Sequence, residues 1–194
     1  MHAKSSISES PPPIEEALEQ YRSYLRFLAE IKLDRRLQGR LDPSDIVQDT
    51  LLRAYRGWDT FRGSQQPQRL AWLRQILMRT ILHALRDARR AKRDVGREQS
   101  LVQLADQSSY RIERWLAADL ESPSQAAQKA EELMRIAAAI EQLAEPQRIA
   151  VLRYYWQGAT LAEISRELGR SPSAVAGLVH RAVRRLQETL VDEP

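Results

Sequence analysis

The sequence has no cysteine and little glycine, lysine or aromatic residue. The absence of Cys excludes disulfides, thiolate nucleophiles and Cys-ligated zinc. Only seven residues are Gly, while Ala and Leu together number 49, against 24 for Val, Ile and Thr combined. Since helix formers dominate and the residues of strands and tight turns are scarce, we predict an all-α fold.

Long apolar segments are also missing. No run approaches the roughly 20 residues of a membrane span, and no apolar signal core follows Met1. We therefore expect a cytoplasmic protein with no membrane insertion. The chain carries 30 basic and 26 acidic residues, a net charge of +4, and 26 of the basic residues are Arg. The planar guanidinium suits phosphate, so this bias fits an anionic partner, although a solubilising surface explains it equally well.

Charge and composition divide the chain into two small helical domains joined by a linker. A Ser- and Pro-rich tail covers residues 1–13, and a first domain covers 14–96 with a net charge of +6. Residues 97–122 have weak apolar periodicity and are predicted to form the linker. The second domain covers 123–194, and its residues from 131 onward have a net charge of −1.

Apolar periodicity predicts three helices in the first domain. The first runs from Ile14 and fades near Gly39, and the third runs from Gln68 to about Arg93. The second follows a turn and N-cap at 42–45. Its expected apolar stripe comprises Ile46, Val47, Thr50, Leu51, Ala54, Tyr55 and Trp58. The buried side of the third helix is expected to comprise Leu73, Ile76, Leu77, Thr80, Ile81, Ala84 and Leu85.

The second domain ends in a helix-turn-helix, predicted over about 160–187. Thr160 and Glu163 have the spacing of a capping box, and Gly169 suits the left-handed residue that ends a helix. Ser171 and Pro172 then start a second helix. Helices of about eight and twenty residues joined by a short Gly-containing turn are typical of this DNA-binding motif, and an ordinary helical hairpin is the alternative. The outward positions are Arg170, Ser171, Ser173, Ala174, Gly177, His180, Arg181 and Arg184.

Signals for enzymatic chemistry are weak. His2, His83 and His180 are scattered, and the sequence has neither a H-E-x-x-H motif nor a Gly-rich phosphate loop. The Asp residues at 42, 45 and 49 lack the spacing and the Gly of an EF-hand, so caps and helix surface are the better assignment. We expect no catalytic residue, no metal and no cofactor.

Four segments in order resemble the extracytoplasmic-function sigma factors of bacterial RNA polymerase. Residues 45–55 (DIVQDTLLRAY) resemble the helix that binds core polymerase. Residues 72–76 (WLRQI), followed by Arg86 and the Arg89-Arg90 pair, resemble the segment that melts the promoter and recognises its minus-10 element. Residues 143–148 (LAEPQR) resemble the start of the second domain, and 161–186 resemble the helix-turn-helix that reads the minus-35 element.

The resemblance implies core RNA polymerase and promoter DNA as partners, and an anti-sigma factor as a further candidate. It assigns polymerase binding to Asp45, Gln48, Asp49 and Arg53. It assigns minus-10 recognition and melting to Trp72, Arg79, Thr80, His83, Arg86, Arg89 and Arg90. The minus-35 contacts are the eight outward positions of the helix-turn-helix. The implied function is recruitment of polymerase to a promoter, with no covalent chemistry.

Two departures from the family pattern affect base recognition. Thr80 and His83 stand where relatives often have Asn followed by Asp, and Ala176-Gly177-Leu178 stands where many have polar or basic groups. A pocket for a flipped minus-10 base would then have altered chemistry, and the minus-35 contact would depend more on DNA shape and phosphate contacts than on base edges. Two other functions remain open: a helix-turn-helix regulator that does not bind polymerase, and a protein whose basic helix meets an acidic partner or a membrane surface.

Overall fold

The computed structural model describes residues 14–33, 41–93 and 123–191, and every regular element in these ranges is helical. The prediction of an all-α fold is therefore confirmed. The predicted tail (1–13) and linker (97–122) lie outside the described residues, and so do the side chains of Arg89 and Arg90.

Eight α-helices occupy the described ranges. Their bounds are α1 (Ile14–Glu19), α2 (Arg22–Lys32), α3 (Pro43–Gly57), α4 (Gln66–Arg93), α5 (Pro123–Glu141), α6 (Glu145–Val151), α7 (Leu161–Leu168) and α8 (Pro172–Val191). A 3₁₀ turn at Trp58–Thr60 extends α3, and a π-helical turn at Leu152–Trp156 extends α6. We call α1–α4 the N-terminal half and the elements from α5 to α8 the C-terminal half.

The first predicted helix is two helices. The chain turns at Tyr21, whose N–H donates to the Leu18 carbonyl oxygen at 3.0 Å and whose side chain is buried. Neither Gly nor Pro stands at this point. The break is therefore explained by packing, because it allows the Tyr21 ring to enter the core.

The N-terminal half packs α2, α3 and α4 around one apolar core. Its fully buried side chains include Leu25, Leu28, Leu73, Leu77 and Ile81. Helix α3 begins as expected: the Asp42 carboxylate accepts the Ser44 N–H at 2.8 Å, and Pro43 occupies the first turn. A side-chain cap of this kind satisfies one of the free N–H groups of the first turn.

The C-terminal half does not stand apart from the N-terminal half. Helix α5 and the π-helical turn pack against α2, so Ala137, Ile140 and Leu152 belong to the same buried cluster as the N-terminal core. A second cluster, around Ile164 and Val175, holds α6, α7 and α8 together. The two helical halves thus meet in an interface, which we call the seam. The sequence analysis did not predict this interface.

Candidate functional site

The turn between α7 and α8 has the geometry expected of a helix-turn-helix. Thr160 N–H donates to Glu163 Oε2 at 2.8 Å, and Glu163 N–H donates to Thr160 Oγ1 at 3.3 Å, which completes the capping box. Gly169 is left-handed, with φ of +61°, and Arg170 N–H donates to the Ser165 carbonyl oxygen at 3.1 Å. The capping box and the glycine end of α7 are confirmed.

The packing of the hairpin fixes how α8 is presented. Ile164 on α7 and Val175, Leu178 and Val179 on α8 form a small buried cluster with Ala150 of α6. This leaves the opposite side of α8 in solvent, which is the arrangement needed for a helix that enters a DNA groove. Leu178 is buried, so the departure from the family pattern at this position belongs to the core of the hairpin.

The eight outward positions lie together at the start and on the exposed side of α8. Seven of them are exposed and Gly177 is half-buried. The Ser171 hydroxyl is already engaged, because it accepts the Ala174 N–H at 3.2 Å as the helix cap. Arg184 Nε donates to Glu188 Oε1 at 3.0 Å, which directs this guanidinium towards the C-terminal end of α8.

Gly177 provides space for Arg181. A methyl group at Gly177 would lie 3.1 Å from Arg181 Nη1, so the guanidinium lies directly over the glycine. Side chains on a helix lean towards its N-terminus, and this glycine lets Arg181 lie close along the helix in that direction. The sequence analysis placed Gly177 and Arg181 on the same face of α8, and the structure shows that they also pack against each other.

The exposed side of α3 combines charged and apolar groups. Asp45, Gln48 and Arg53 are exposed, and Arg53 Nε pairs with Asp49 Oδ2 at 3.0 Å. Leu52 and Tyr55, with 45% and 46% of their surface exposed, lie on the same side. Tyr55 was expected in the buried stripe, and this expectation is wrong. Exposed apolar side chains within a polar rim are typical of protein interfaces.

Trp72 belongs to an aromatic cluster. Its ring stacks on Phe61 with centroids 4.8 Å apart and meets Trp58 edge-on at 6.1 Å. All three residues are half-buried. Trp72 is therefore part of a packed group that closes the space between α3 and α4. Phe61, which the sequence analysis did not single out, adds to the aromatic surface at this point.

Downstream of Trp72, α4 exposes a basic row. Arg79, His83 and Arg86 are exposed and follow one another at four- and three-residue steps, which puts them on one side of the helix. Thr80 is not part of this surface: it is 2% exposed, and its hydroxyl donates to the Ile76 carbonyl oxygen at 3.0 Å. This corrects its assignment as a DNA contact and agrees with its place on the buried side. Residues 89 and 90 continue α4.

Residues 14–33, 41–93 and 123–191 contain neither a metal-binding cluster nor a membrane-spanning helix. No group of three or more His, Asp or Glu in these ranges could hold a metal ion. No helix there is both long and apolar enough to cross a membrane.

Comparison with known proteins gives two family matches. The model described as Sigma-70 region 2 matches residues 20–91, and the model described as Sigma-70, region 4 matches residues 133–186. The first match contains α3 and the basic row of α4, and the second contains the helix-turn-helix.

Individual relatives agree with these matches. The chain is 30% identical over 146 residues to the ECF RNA polymerase sigma factor SigL of Mycobacterium tuberculosis, covering 75% of this chain and 73% of SigL. It is 33% identical over 165 residues to SigG of the same organism, covering 78% of this chain but 43% of SigG. It is 25% identical over 151 residues to the RNA polymerase sigma-E factor of Streptomyces coelicolor, covering 78% of this chain and 73% of that protein.

Among solved structures, the sigma factor RpoE of Bartonella quintana, crystallised in complex with the anti-sigma factor NepR, matches at 22% identity. The match covers 93% of this chain and 98% of that chain, with a TM-score of 0.35.

Proposed function

Because the chain belongs to the ECF RNA polymerase sigma factors, we propose that its two domains divide promoter recognition between them. As a sigma factor it binds core RNA polymerase and directs promoter recognition and transcription initiation. It is a promoter-recognition subunit and not an enzyme, since polymerisation belongs to the core. The observation that carries the proposal is the exposed outward side of the helix-turn-helix. The domain that precedes it has a helix face of mixed polar and apolar groups, on α3, and a helix with exposed basic residues, α4.

We assign residues 14–96 to polymerase docking and the minus-10 region. On α3, the docking face comprises Asp45, Gln48, Asp49 and Arg53, extended by Leu52 and Tyr55. Apolar groups within a charged rim suit a protein partner. The exposed Leu52 and Tyr55 therefore favour a docking face over a helix face that contacts only solvent. On α4, the DNA-facing row comprises Arg79, His83 and Arg86 and continues through Arg89 and Arg90. Aromatic side chains can stack on the bases of separated DNA strands, and cationic side chains can bind the phosphates. A surface that combines both therefore suits strand-separated DNA.

We assign residues 123–194 to the minus-35 element. The N-terminal part of α8, from Ser173 to Arg181, enters the major groove, while Arg170 and the Ser173 N–H at the start of the helix bind phosphate. Only Arg181, His180 and Ser173 offer donors for base edges along this stretch, so the contribution of DNA shape is large.

The proposal extends to location and regulation. Since its partner transcribes the chromosome, we place the chain in the cytoplasm. An anti-sigma protein is a further expected partner, one that would compete with polymerase for the chain.

In vitro transcription tests the proposed function. The purified chain is added to bacterial core polymerase with a pool of genomic fragments, and start sites are mapped. We expect a discrete set of start sites that share upstream sequence and that depend on the chain. A helix-turn-helix regulator would bind DNA but would neither co-purify stoichiometrically with core polymerase nor confer start sites.

The Asp49→Arg variant tests the docking face. Asp49 is half-exposed and makes a surface ion pair, so reversal of its charge should leave the fold intact while lowering the affinity for core polymerase. Glu19→Arg is the matched control: Glu19 belongs to α1, makes a surface ion pair with Arg22 and is similarly exposed. Equal competition for core polymerase by both variants would contradict the assignment of α3.

A further inference from the structure

The guanidinium of Arg181 lies one helical turn back along α8, over Gly177. A Cβ atom at Gly177 would come within 3.1 Å of Arg181 Nη1 and within 3.7 Å of both Cζ and Nη2, so it would touch the whole guanidinium. Gly177 is half-buried, although Ala174 and Arg181, which precede and follow it on the same face, are exposed. The group that covers the glycine is therefore the Arg181 side chain.

The charges around Arg181 explain why its side chain takes this direction. Arg184 and Arg185 follow Arg181 at three- and four-residue steps, and like charges at these spacings repel each other on a helix. Among the residues that the structure describes, no carboxylate pairs with Arg181, whereas Arg184 pairs with Glu188. The Arg181 guanidinium is thus directed away from the two arginines that follow it, and its donors remain available for a ligand.

The position over Gly177 changes which part of a DNA duplex Arg181 can reach. Residues 177 and 181 are four positions apart, which is about 6 Å along an α-helix, whereas base pairs stack about 3.4 Å apart in B-form DNA. When α8 lies in the major groove, a guanidinium over Gly177 therefore faces a different base pair from the one nearest the Arg181 backbone. The side chain reaches the DNA that residue 177 would otherwise face.

The chemistry at this point of α8 is that of a single arginine. Ala174 and Gly177 have no donor or acceptor in their side chains, so Arg181 provides the polar group of this row. A guanidinium can donate two parallel hydrogen bonds to O6 and N7 of guanine. Adenine presents one acceptor and one donor at the same edge, so it cannot accept both hydrogen bonds.

We propose that Gly177 is a positioning residue for promoter recognition, and that the Arg181 guanidinium held over it reads a guanine in the minus-35 element. This inference rests on the proposed function, since it concerns the same face of α8. Gly177 acts through the space that it leaves for Arg181 and needs no side-chain contact of its own with DNA. The departure from the family pattern at Gly177 then transfers base reading to Arg181.

The contact between the two residues leaves little tolerance. Atoms in van der Waals contact are about 3.5 Å apart or more, so a methyl group 3.1 Å from Nη1 would displace the guanidinium by about 0.5 Å. Groups that recognise a ligand need to be held within about 0.5 Å of their productive geometry. The Gly177→Ala variant should therefore misplace the Arg181 guanidinium while keeping its charge on the same face of α8.

Base preference in the complete holoenzyme tests the inference. The chain is combined with core polymerase, and a promoter found by start-site mapping is varied one base pair at a time across its minus-35 element. The yield of transcript is compared for guanine and for the other three bases at each position. For the wild type we expect one base pair at which guanine is preferred by about 5- to 150-fold, which is the discrimination of one bidentate contact. Arg181→Ala should abolish this preference.

Gly177→Ala is the diagnostic variant. We expect it to lower the guanine preference at that same base pair by about threefold or more, a part of the discrimination of one bidentate contact. Preferences at other base pairs and the salt dependence of promoter binding should stay at their wild-type values, because the charge of Arg181 is retained. Alanine favours a helix interior over glycine, so unfolding does not explain a loss, and urea denaturation of the same sample checks this.

The Arg181→Ala background provides the matched control. Addition of Gly177→Ala to Arg181→Ala should change nothing further at that base pair, because no guanidinium is left to misplace. An unchanged guanine preference in Gly177→Ala would overturn the inference, and so would the absence of any base pair whose preference depends on Arg181. An equal effect of Gly177→Ala with and without Arg181 would overturn it too, since residue 177 would then meet the DNA directly. Failure of the proposed function has a different result: the wild-type chain would confer no start site on any template.

Discussion

Gly169→Ala tests the turn on which the DNA-binding hairpin depends. Gly169 has φ of +61°, and no atom lies within 4 Å of the position that a new Cβ would take. The substitution is thus free of clashes, and its effect comes from the backbone alone. A left-handed conformation costs an L-residue about 1–2 kcal/mol, offset by a gain of about 0.4–1 kcal/mol because Ala restricts the unfolded chain. We expect a net destabilisation of about 1 kcal/mol.

Urea denaturation followed by circular dichroism measures this effect, with Gly177→Ala as the matched control. Gly177 is in the interior of α8, where replacement of Gly by Ala stabilises a helix by about 0.5–1 kcal/mol. The new methyl group would lie 3.1 Å from Arg181 Nη1, and the exposed guanidinium can move away from it into solvent. The two variants make the same chemical change fewer than ten residues apart, and we expect shifts of opposite sign. A neutral or stabilising Gly169→Ala would refute the argument that left-handed geometry ends α7.

Three further predictions concern charge and DNA contact. The Thr160 N–H, and then its hydroxyl, hold the pKa of Glu163 below its ordinary value, so stability linked to Glu163 is present above about pH 4.5 and is lost as the pH falls through the lowered pKa. The Glu163→Gln variant should therefore lose less stability than the wild type as the pH is lowered, as measured by urea denaturation. An identical pH dependence of stability in the two proteins would contradict the role of Glu163 in the cap. Replacement of both Arg89 and Arg90 by Ala should flatten the salt dependence of DNA binding by up to about two units of log–log slope, measured by fluorescence anisotropy. Arg181→Ala should reduce transcription most at promoters that have a minus-35 element, and an equal loss on templates without it would oppose groove contact.

The helix-turn-helix could be predicted in detail because its signals are local. Thr160 and Glu163 form the expected capping box, Gly169 adopts the left-handed conformation and Pro172 begins α8. Each of these features depends on the chemistry of residues within a few positions of one another. Sequence periodicity also identified most of the buried side of α4, which includes Leu73, Leu77, Ile81 and Leu85.

Features set by tertiary packing escaped sequence analysis. The break at Tyr21 has no local cause, and the exposure of Tyr55 depends on how much of α3 the neighbouring helices cover. Helical periodicity alone could not decide between two roles for Thr80, since a short polar side chain suits either side of a helix. The seam joins residues more than 100 positions apart, such as Phe27 and Trp156, and no pattern within one segment encodes such a pairing.

The π-helical turn has a consequence for insertions and deletions. Gln157 N–H donates to the Leu152 carbonyl oxygen five residues back, at 3.1 Å, so the turn holds one residue more than an α-helical turn would. Removal of one residue from 152–156 would leave the four residues of an ordinary α-helical turn, because a π-helical turn accommodates a single additional residue. The number of residues in this short stretch, more than their identity, therefore decides whether the end of α6 closes as a π-helical or an α-helical turn.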